Sequence, residues 1–317
     1  MNALAVVFDA PQALRVSELA LQDMGEDDVT VAVEWSGIST GTERLLWSGR
    51  MPAFQGMGYP LVPGYETVGR VVDAGPTQRA RIGQRVFVPG AKCFGPVRSL
   101  FGGAASRLVL PAERALPIGE QVGREGVLLA LAATAYHAVA GGGQRERITP
   151  PELIVGHGVL GRLLARMTVA AGCPPPTVWE RDPSRSTGGE GYTICTPEDD
   201  PRRRYRAIYD ASGDAGLLDE LIMRLAPGGE VVLAGFYSDR LSFAFAPAFM
   251  REAALRCAAE WKQSDLMAVR ELVETGRLSL DGLITHQAQA DQAPDAYTTA
   301  FEDPACLKMV LNWSTCA

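Results

Sequence analysis

The sequence predicts an α/β protein in two parts, a β-rich segment and a doubly wound parallel sheet, closed by a mixed tail. Three observations predict it. Through residues 1–122, short apolar runs with period-two alternation are separated by Gly and Pro turns, the pattern of strands. From Gly123 onward, Leu- and Ala-rich helical spacing gives way to alternating strand-like and helix-like runs, which implies a parallel sheet. Within that second part, Leu153-Ile154-Val155 runs straight into Gly156-His157-Gly158-Val159-Leu160-Gly161, a strand leading into a glycine-rich turn. The expected division is 1–122 with 278–317, and 123–277.

In chain order, Met1 to Asp9 is expected as a first strand; it has neither the basic leader nor the cleavage site of a signal peptide. Strands are expected at 29–35, 68–72 and 84–88, with no long helix among them. A helix is expected over 124–139, and Pro150-Pro151 breaks the chain after it. Strand 153–155, helix 160–171 and strands 177–179 and 207–209 follow. A helix over 216–225 is stopped by Pro227-Gly228-Gly229. Strands at 230–235 and 255–260 and a helix at 264–275 complete the alternation. The tail, 278–317, is expected to return to the first part. No internal repeat is visible.

Length and composition bound the function. A chain of 317 residues is long enough for two cores, since single cores rarely grow beyond roughly 250–300 residues. With 47% hydrophobic and 21% charged residues it is an ordinary globular chain. A formal net charge of −7 argues against a nucleic-acid surface. The basic run Arg202-Arg203-Arg204-Tyr205-Arg206 follows Asp199-Asp200 and reads as a solvated loop or a patch for an anionic group. No apolar stretch approaches the ~18 residues of a membrane span, so a cytoplasmic location is expected. The six cysteines and three histidines are scattered, with no zinc spacing.

The glycine turn carries a dinucleotide-binding chemistry. Gly156 permits the tight turn, Gly158 lets the backbone approach a pyrophosphate, and Gly161 lets helix and strand pack closely. The pyrophosphate is expected on the helix N-terminus, at the N–H groups around Gly158, Val159 and Leu160. Glu180, at the end of the next strand, suits a ribose 2′-hydroxyl and repels a 2′-phosphate, which points to NAD over NADP; the bland alternative is an exposed strand end. Arg181 beside it can stack on adenine or pair with a phosphate. His157 either touches a phosphate or turns its ring away.

Two further turns are informative. Pro63-Gly64-Tyr65-Glu66-Thr67-Val68-Gly69 resembles the zinc-binding turn of an alcohol dehydrogenase with its histidine replaced by Tyr65. Ser36-Gly37-Ile38-Ser39-Thr40-Gly41-Thr42-Glu43 resembles the companion turn with its cysteine replaced by Ser39. Together with the glycine turn, the chain resembles the medium-chain dehydrogenase/reductase superfamily over nearly its whole length. The resemblance implies a GroES-like substrate domain, a Rossmann domain, and, from 210–213 and 225–235, Ser212 and Gly235 at the cofactor. Segments 36–65, 131–138 and 153–167 are closer to a zinc-free branch of that superfamily, which acts in bacteriochlorophyll synthesis. That branch implies oxidation of a 3-(1-hydroxyethyl) group on a bacteriochlorophyllide to 3-acetyl, with NAD as hydride acceptor. Around Ala130 no third cysteine ligand appears, although Glu125 is near, and Cys93 stands alone where a structural zinc would need four. No metal is expected.

Without zinc, side chains must handle the proton of the alcohol. Tyr65 is one candidate, if a cation such as Lys92 lowers its pKa from ~10; otherwise it fills the vacated metal space. Glu66 is a second candidate, or a hydrogen-bond partner of the turn. Thr42, oriented by Glu43, is a third. His137 is a fourth, or a helix histidine at a domain interface. Met51, Phe54, Met57 and Tyr59 form an apolar loop suited to a flat macrocycle or to a lid. Two other functions share these features: a zinc-free NAD(P)H quinone or enoyl reductase, and a non-catalytic pigment carrier. A homodimer and a peripheral membrane contact are the expected associations.

Overall fold

The computed structural model describes residues 1–53, 56–141 and 148–316. The chain divides into two compact units, Met1–Ala130 with Leu283–Ala317, and Leu131–Gly282.

The first unit is built on two sheets, one of four strands and one of seven. Strand Asp28–Ile38 is the hub of the larger sheet. It pairs antiparallel with Thr67–Ala74, with Arg107–Pro111 and with Met309–Asn312 from the tail. Two bulges interrupt its pairing with Thr67–Ala74, each adding local twist. Strand Asn2–Ala10 is buried on both faces from Ala5 to Phe8, and Phe8 meets the ring of Tyr297 edge-on at 5.3 Å. Tyr297 belongs to helix Ala293–Glu302, which has a proline in its first turn, where the missing N–H costs nothing. A short helix, Thr42–Trp47, interrupts the β-rich segment. Six residues are too few to show a helical period, so it was not foreseen.

The second unit is a six-stranded sheet, parallel throughout. Its strands in space run Thr193–Cys195, Thr177–Trp179, Leu153–Val155, Tyr205–Asp210, Leu225–Leu233, Ala254–Cys257. This is the doubly wound order, and the α/β fold expected from the sequence is present. The order reverses between Leu153–Val155 and Tyr205–Asp210, so the turns leaving those two strands lie side by side at the switch point.

Local boundaries moved for physical reasons. The helix expected over 124–139 is a 3-10 stretch, Glu120–Leu128, kinked at Gly123, followed by helix Leu129–Ala140. Pro227-Gly228-Gly229 lies inside strand Leu225–Leu233 as a bulge, because pairing steps from Tyr205–Leu225 to Ala207–Glu230. The helix before it is therefore only Leu218–Met223. Strand Thr193–Cys195 is short and half polar, and carried no signal.

Candidate active site

In the second unit the glycine turn has the expected geometry. Gly156 has φ +93°, a conformation that favours glycine. A Cβ on Gly161 would stand 1.9 Å from the Gly156 carbonyl oxygen, so only glycine lets helix Val159–Ala170 start there. Gly158 is different. Its φ is −71° and a Cβ there would meet nothing within 4 Å. Neither backbone nor packing demands glycine at that place, so the open space above the helix N-terminus is what a missing side chain provides. Val159 and Leu160 open the helix, with no side-chain cap on its first N–H groups. These features fit a pyrophosphate.

Glu180 is placed by backbone donors. One carboxylate oxygen accepts the His157 N–H at 2.9 Å, and the other accepts those of Arg181 and Asp182, each at 2.8 Å. A carboxylate has about four lone-pair sites, so capacity remains for a ribose hydroxyl. The Arg181 guanidinium reaches Glu198 at 3.5 Å and Glu220 at 3.7 Å. His157 turns its ring away from the phosphate side: Nδ1 meets the Arg185 carbonyl at 2.6 Å and Nε2 the Tyr192 hydroxyl at 2.8 Å. Burial pushes this imidazole down to about 4, so it is neutral. Arg162, also buried, ties the His157, Arg185 and Thr187 carbonyls together and fixes the loop beyond Glu180.

Ser212 sits across the switch point, its N 3.3 Å from where a Gly156 Cβ would be. It is bound to the buried Asp210 through both N–H and hydroxyl. Gly235 donates its N–H to the Asp210 carbonyl at 2.9 Å, and Tyr237 donates its hydroxyl to the Asp210 carboxylate at 2.8 Å. Leu233, Gly235, Phe236, Tyr237, Cys257 and neighbours line a cleft of about 350 Å³ at the carboxyl ends of two strands.

In the first unit the two turns meet as their resemblance implied. The Ser39 and Tyr65 hydroxyls are 2.7 Å apart. Ser39 Oγ also accepts the Thr42 N–H at 3.2 Å, and the Thr42 side chain is a further hydrogen-bond partner of Tyr65. Tyr65 is held edge-on by Phe101, with ring centroids 5.0 Å apart. Burial pushes the Tyr65 phenol far up, and the negative charge of Glu66 pushes the same way. The expectation of a phenolate base assisted by Lys92 is therefore corrected. Lys92 is exposed, and the phenol is a neutral group that gives and takes hydrogen bonds.

Glu66 is fully buried, and both its oxygens accept from Lys308, at 3.0 and 2.7 Å. It supports the turn from beneath and does not present a base to a substrate. Glu43 orients Ser39 and not Thr42: one oxygen accepts the Ser39 N–H at 3.3 Å, the other the Tyr297 hydroxyl at 2.8 Å. Burial, with Glu66 adding to it, pushes this carboxyl up to about 8. His137 belongs to the second unit. Its Nδ1 lies 2.7 Å from Asp265, which also accepts the Lys262 N–H and so caps helix Gln263–Glu274.

Of the expected apolar loop, Met51 is buried in the core, Met57 and Tyr59 are half-buried against it, and the Tyr59 hydroxyl donates to the Leu46 carbonyl of helix Thr42–Trp47. Phe54 lies outside the described residues. Lys308, Tyr297 and Asp265 were missed; each acts on a residue more than a hundred positions away. The one signal was a lysine inside the apolar run 306–311.

Among the described residues no group of three His, Cys, Asp or Glu side chains is placed to hold a metal ion. The groups at the turns are two hydroxyls bonded to each other and a carboxylate clasped by an ammonium. Zinc takes thiolate, imidazole or a free carboxylate, so this donor set does not fit it. No helix among the described residues is long and apolar enough to cross a membrane.

Comparison with known proteins bears on these two sites. Residues 25–120 match the alcohol dehydrogenase GroES-like domain. The chain is 57% identical over 314 residues to the 2-desacetyl-2-hydroxyethyl bacteriochlorophyllide A dehydrogenase of Rhodobacter capsulatus, covering 99% of each chain. It is 54% identical to the protein of the same name from Cereibacter sphaeroides, covering 100% of each. Its fold is similar to that of a short chain alcohol dehydrogenase from Escherichia coli CFT073 complexed with NADH, with a TM-score of 0.83, 21% identity, and 98% and 99% of the two chains covered. The chain belongs to the medium-chain alcohol dehydrogenases, in the family that holds these two bacteriochlorophyllide dehydrogenases.

Proposed function

We propose that this protein oxidises the 3-(1-hydroxyethyl) group of a bacteriochlorophyllide to a 3-acetyl group, with NAD⁺ as the hydride acceptor and no catalytic zinc. The full-length identity with two dehydrogenases of that substrate carries the substrate class. The bound nicotinamide ring supplies the hydride acceptor. Gly158 and the N–H groups of Val159 and Leu160 receive the pyrophosphate. Glu180 receives the adenosine ribose and disfavours a 2′-phosphate, which supports NAD over NADP. Ser212 and Gly235 flank the switch point, where the rest of the dinucleotide lies.

The hydroxyl proton is the work of the Ser39–Tyr65–Thr42 group. The substrate O–H donates to the Tyr65 oxygen, Tyr65 passes its own proton to the Thr42 hydroxyl oxygen, and Thr42, which is half-exposed, gives up its own proton to solvent water. Neither hydroxyl needs to become a stable anion, which accords with a phenol held neutral. Relays of this kind contribute ~10²–10⁴-fold. A hydroxyl on a carbon attached to a conjugated macrocycle loses hydride more readily than a simple alcohol, which lessens what a metal would have to supply. Metal-free protein, 3-hydroxyethyl bacteriochlorophyllide and NAD⁺ should yield NADH together with a red shift of the long-wavelength pigment band. Neither signal, or activity restored only by zinc, would overturn the reading.

The second unit also supports a homodimer. Strand Ala254–Cys257 ends the parallel sheet, and Phe245 (72%), Phe249 (65%) and Met250 (75%) beside it are exposed. Parallel sheets are normally covered, and an open edge next to apolar side chains suits a second copy. Sedimentation of the parent and of Phe249→Glu tests this: a dimer that the substitution splits supports it. A parent monomer that co-sediments with lipid vesicles would place a membrane there instead.

A further inference from the structure

Lys308 is 1% exposed and spends its whole hydrogen-bonding capacity in one place. Its ammonium donates to the Ile38 carbonyl at 3.1 Å and to the two Glu66 oxygens at 3.0 and 2.7 Å. An ammonium has three donors, and all three are used. Ile38 immediately precedes Ser39, and Glu66 immediately follows Tyr65. One buried charge therefore ties together the two turns that carry the bonded hydroxyls. The tie is backed by a main-chain bond, Gly37 N–H to the Glu66 carbonyl, at 2.7 Å. It also needs a glycine, since a Cβ on Gly37 would stand 2.2 Å from Glu66 Oε2. Lys308 is itself aimed by the tail strand, whose register sets Met309 against Ile38 and Val310 against Gly37.

We propose that Lys308 is a positioning residue for the reaction, fixing the separation of the two turns and so holding the Ser39 and Tyr65 hydroxyls in register. A buried ion pair seldom adds stability over an apolar pair of the same volume, so what this one contributes is geometry, through its three bonds to the two turns. Reacting groups must be held to within about 0.5 Å, and a displacement of about 1 Å can cost ~10²-fold in rate. The inference rests on the reading that these hydroxyls meet the substrate.

The test is a cycle of variants in the full-length enzyme. Lys308→Met combined with Glu66→Gln removes both charges and leaves no ion unpaired. This pair should melt near the parent, bind NAD as the parent does, and lose about 10²-fold in kcat with little change in KM for NAD. Adding it to Tyr65→Phe should lower kcat no further than Tyr65→Phe alone, because both remove the same hydroxyl contact. A merely structural role would multiply the two losses. A folded charge-free pair within about three-fold of the parental kcat overturns the inference, as do multiplied losses. Should the pair not fold, Gly37→Ala displaces Glu66 without removing a charge; a parental kcat there overturns the inference as well. Tyr65→Phe at the parental rate would instead overturn the hydroxyl reading, with the charge-free pair still deciding on Lys308.

Discussion

The glycine turn of the second unit and the paired turns of the first are built on opposite plans. The glycine turn works through backbone: a φ of +93° at Gly156, a contact at Gly161 that only hydrogen allows, and open space at Gly158. Its residues lie within a few positions of one another. The paired turns work through side chains, gathered from 36–43, 65–66, 297 and 308. Burial acts alike in both units, favouring uncharged forms: it keeps protons on Tyr65, Tyr297 and Glu43 in the first and on Tyr237 in the second, where it also strips one from His157. A binding surface for a phosphate needs only N–H groups in a row, whereas moving a proton needs groups whose protonation is set by their surroundings.

The largest effect that would break this contrast is at Tyr65. Tyr65→Phe should lower kcat about 10²-fold, roughly 2.7 kcal/mol of transition-state stabilisation, with NAD binding unchanged. Steady-state kinetics with the pigment substrate measures it, and a loss seen only in NAD binding would mean the two sites are not separable as drawn.

The two glycines sharpen the comparison within the second unit. Gly161→Ala collides with a backbone oxygen and should destabilise the fold by about 1–3 kcal/mol in a denaturant titration. Gly158→Ala should leave stability within about 0.5 kcal/mol yet weaken NAD binding about tenfold. Equal effects on both quantities would remove the reason for calling Gly158 a ligand position.

Glu180→Ala should weaken NAD about tenfold and narrow the gap between NAD and NADP. Unchanged preference in competition titrations would show that the strand end is structural.

The smallest effects concern pH. His157 is held at about 4 against an ordinary 6.5, so the folded protein binds fewer protons than the unfolded chain in that window. Stability is full above 6.5 and is lost as pH falls toward about 4. Glu43 has the opposite sign. It is held at about 8 against 4.5, so its contribution is full below 4.5 and is lost as pH rises toward about 8. His157→Gln should flatten the acid side of a melting-temperature profile and Glu43→Gln the alkaline side, the second more than the first because the Glu43 shift is the larger. A profile unaltered by either would mean those groups are more solvated than their packing implies.

Much of this was legible in the chain. Period-two runs and strand–helix alternation marked the two parts. Glycines at fixed spacing after a strand marked the cofactor turn, and the acid at the next strand end followed. Tyr65 and Ser39 stood out because they replace metal ligands in otherwise family-like turns. Their roles were not legible. Whether a tyrosine is a phenolate or a neutral relay depends on what charge lies beside it, and that neighbour proved to be Glu66 and not Lys92. That Met51 enters the core was not legible either, because apolarity alone does not tell a core face from a ligand face.

The sequence by itself determined the fold class, the glycine turn and the two turns that carry the bonded hydroxyls, because each depends on residues close together in the chain. Only the tertiary structure decided that Lys308 clasps Glu66, that Glu43, which orients Ser39, is itself held by the Tyr297 hydroxyl, and that His137 belongs to Asp265. Burial and charge at a side chain are set by groups that meet through folding, and those partners lie more than a hundred residues apart.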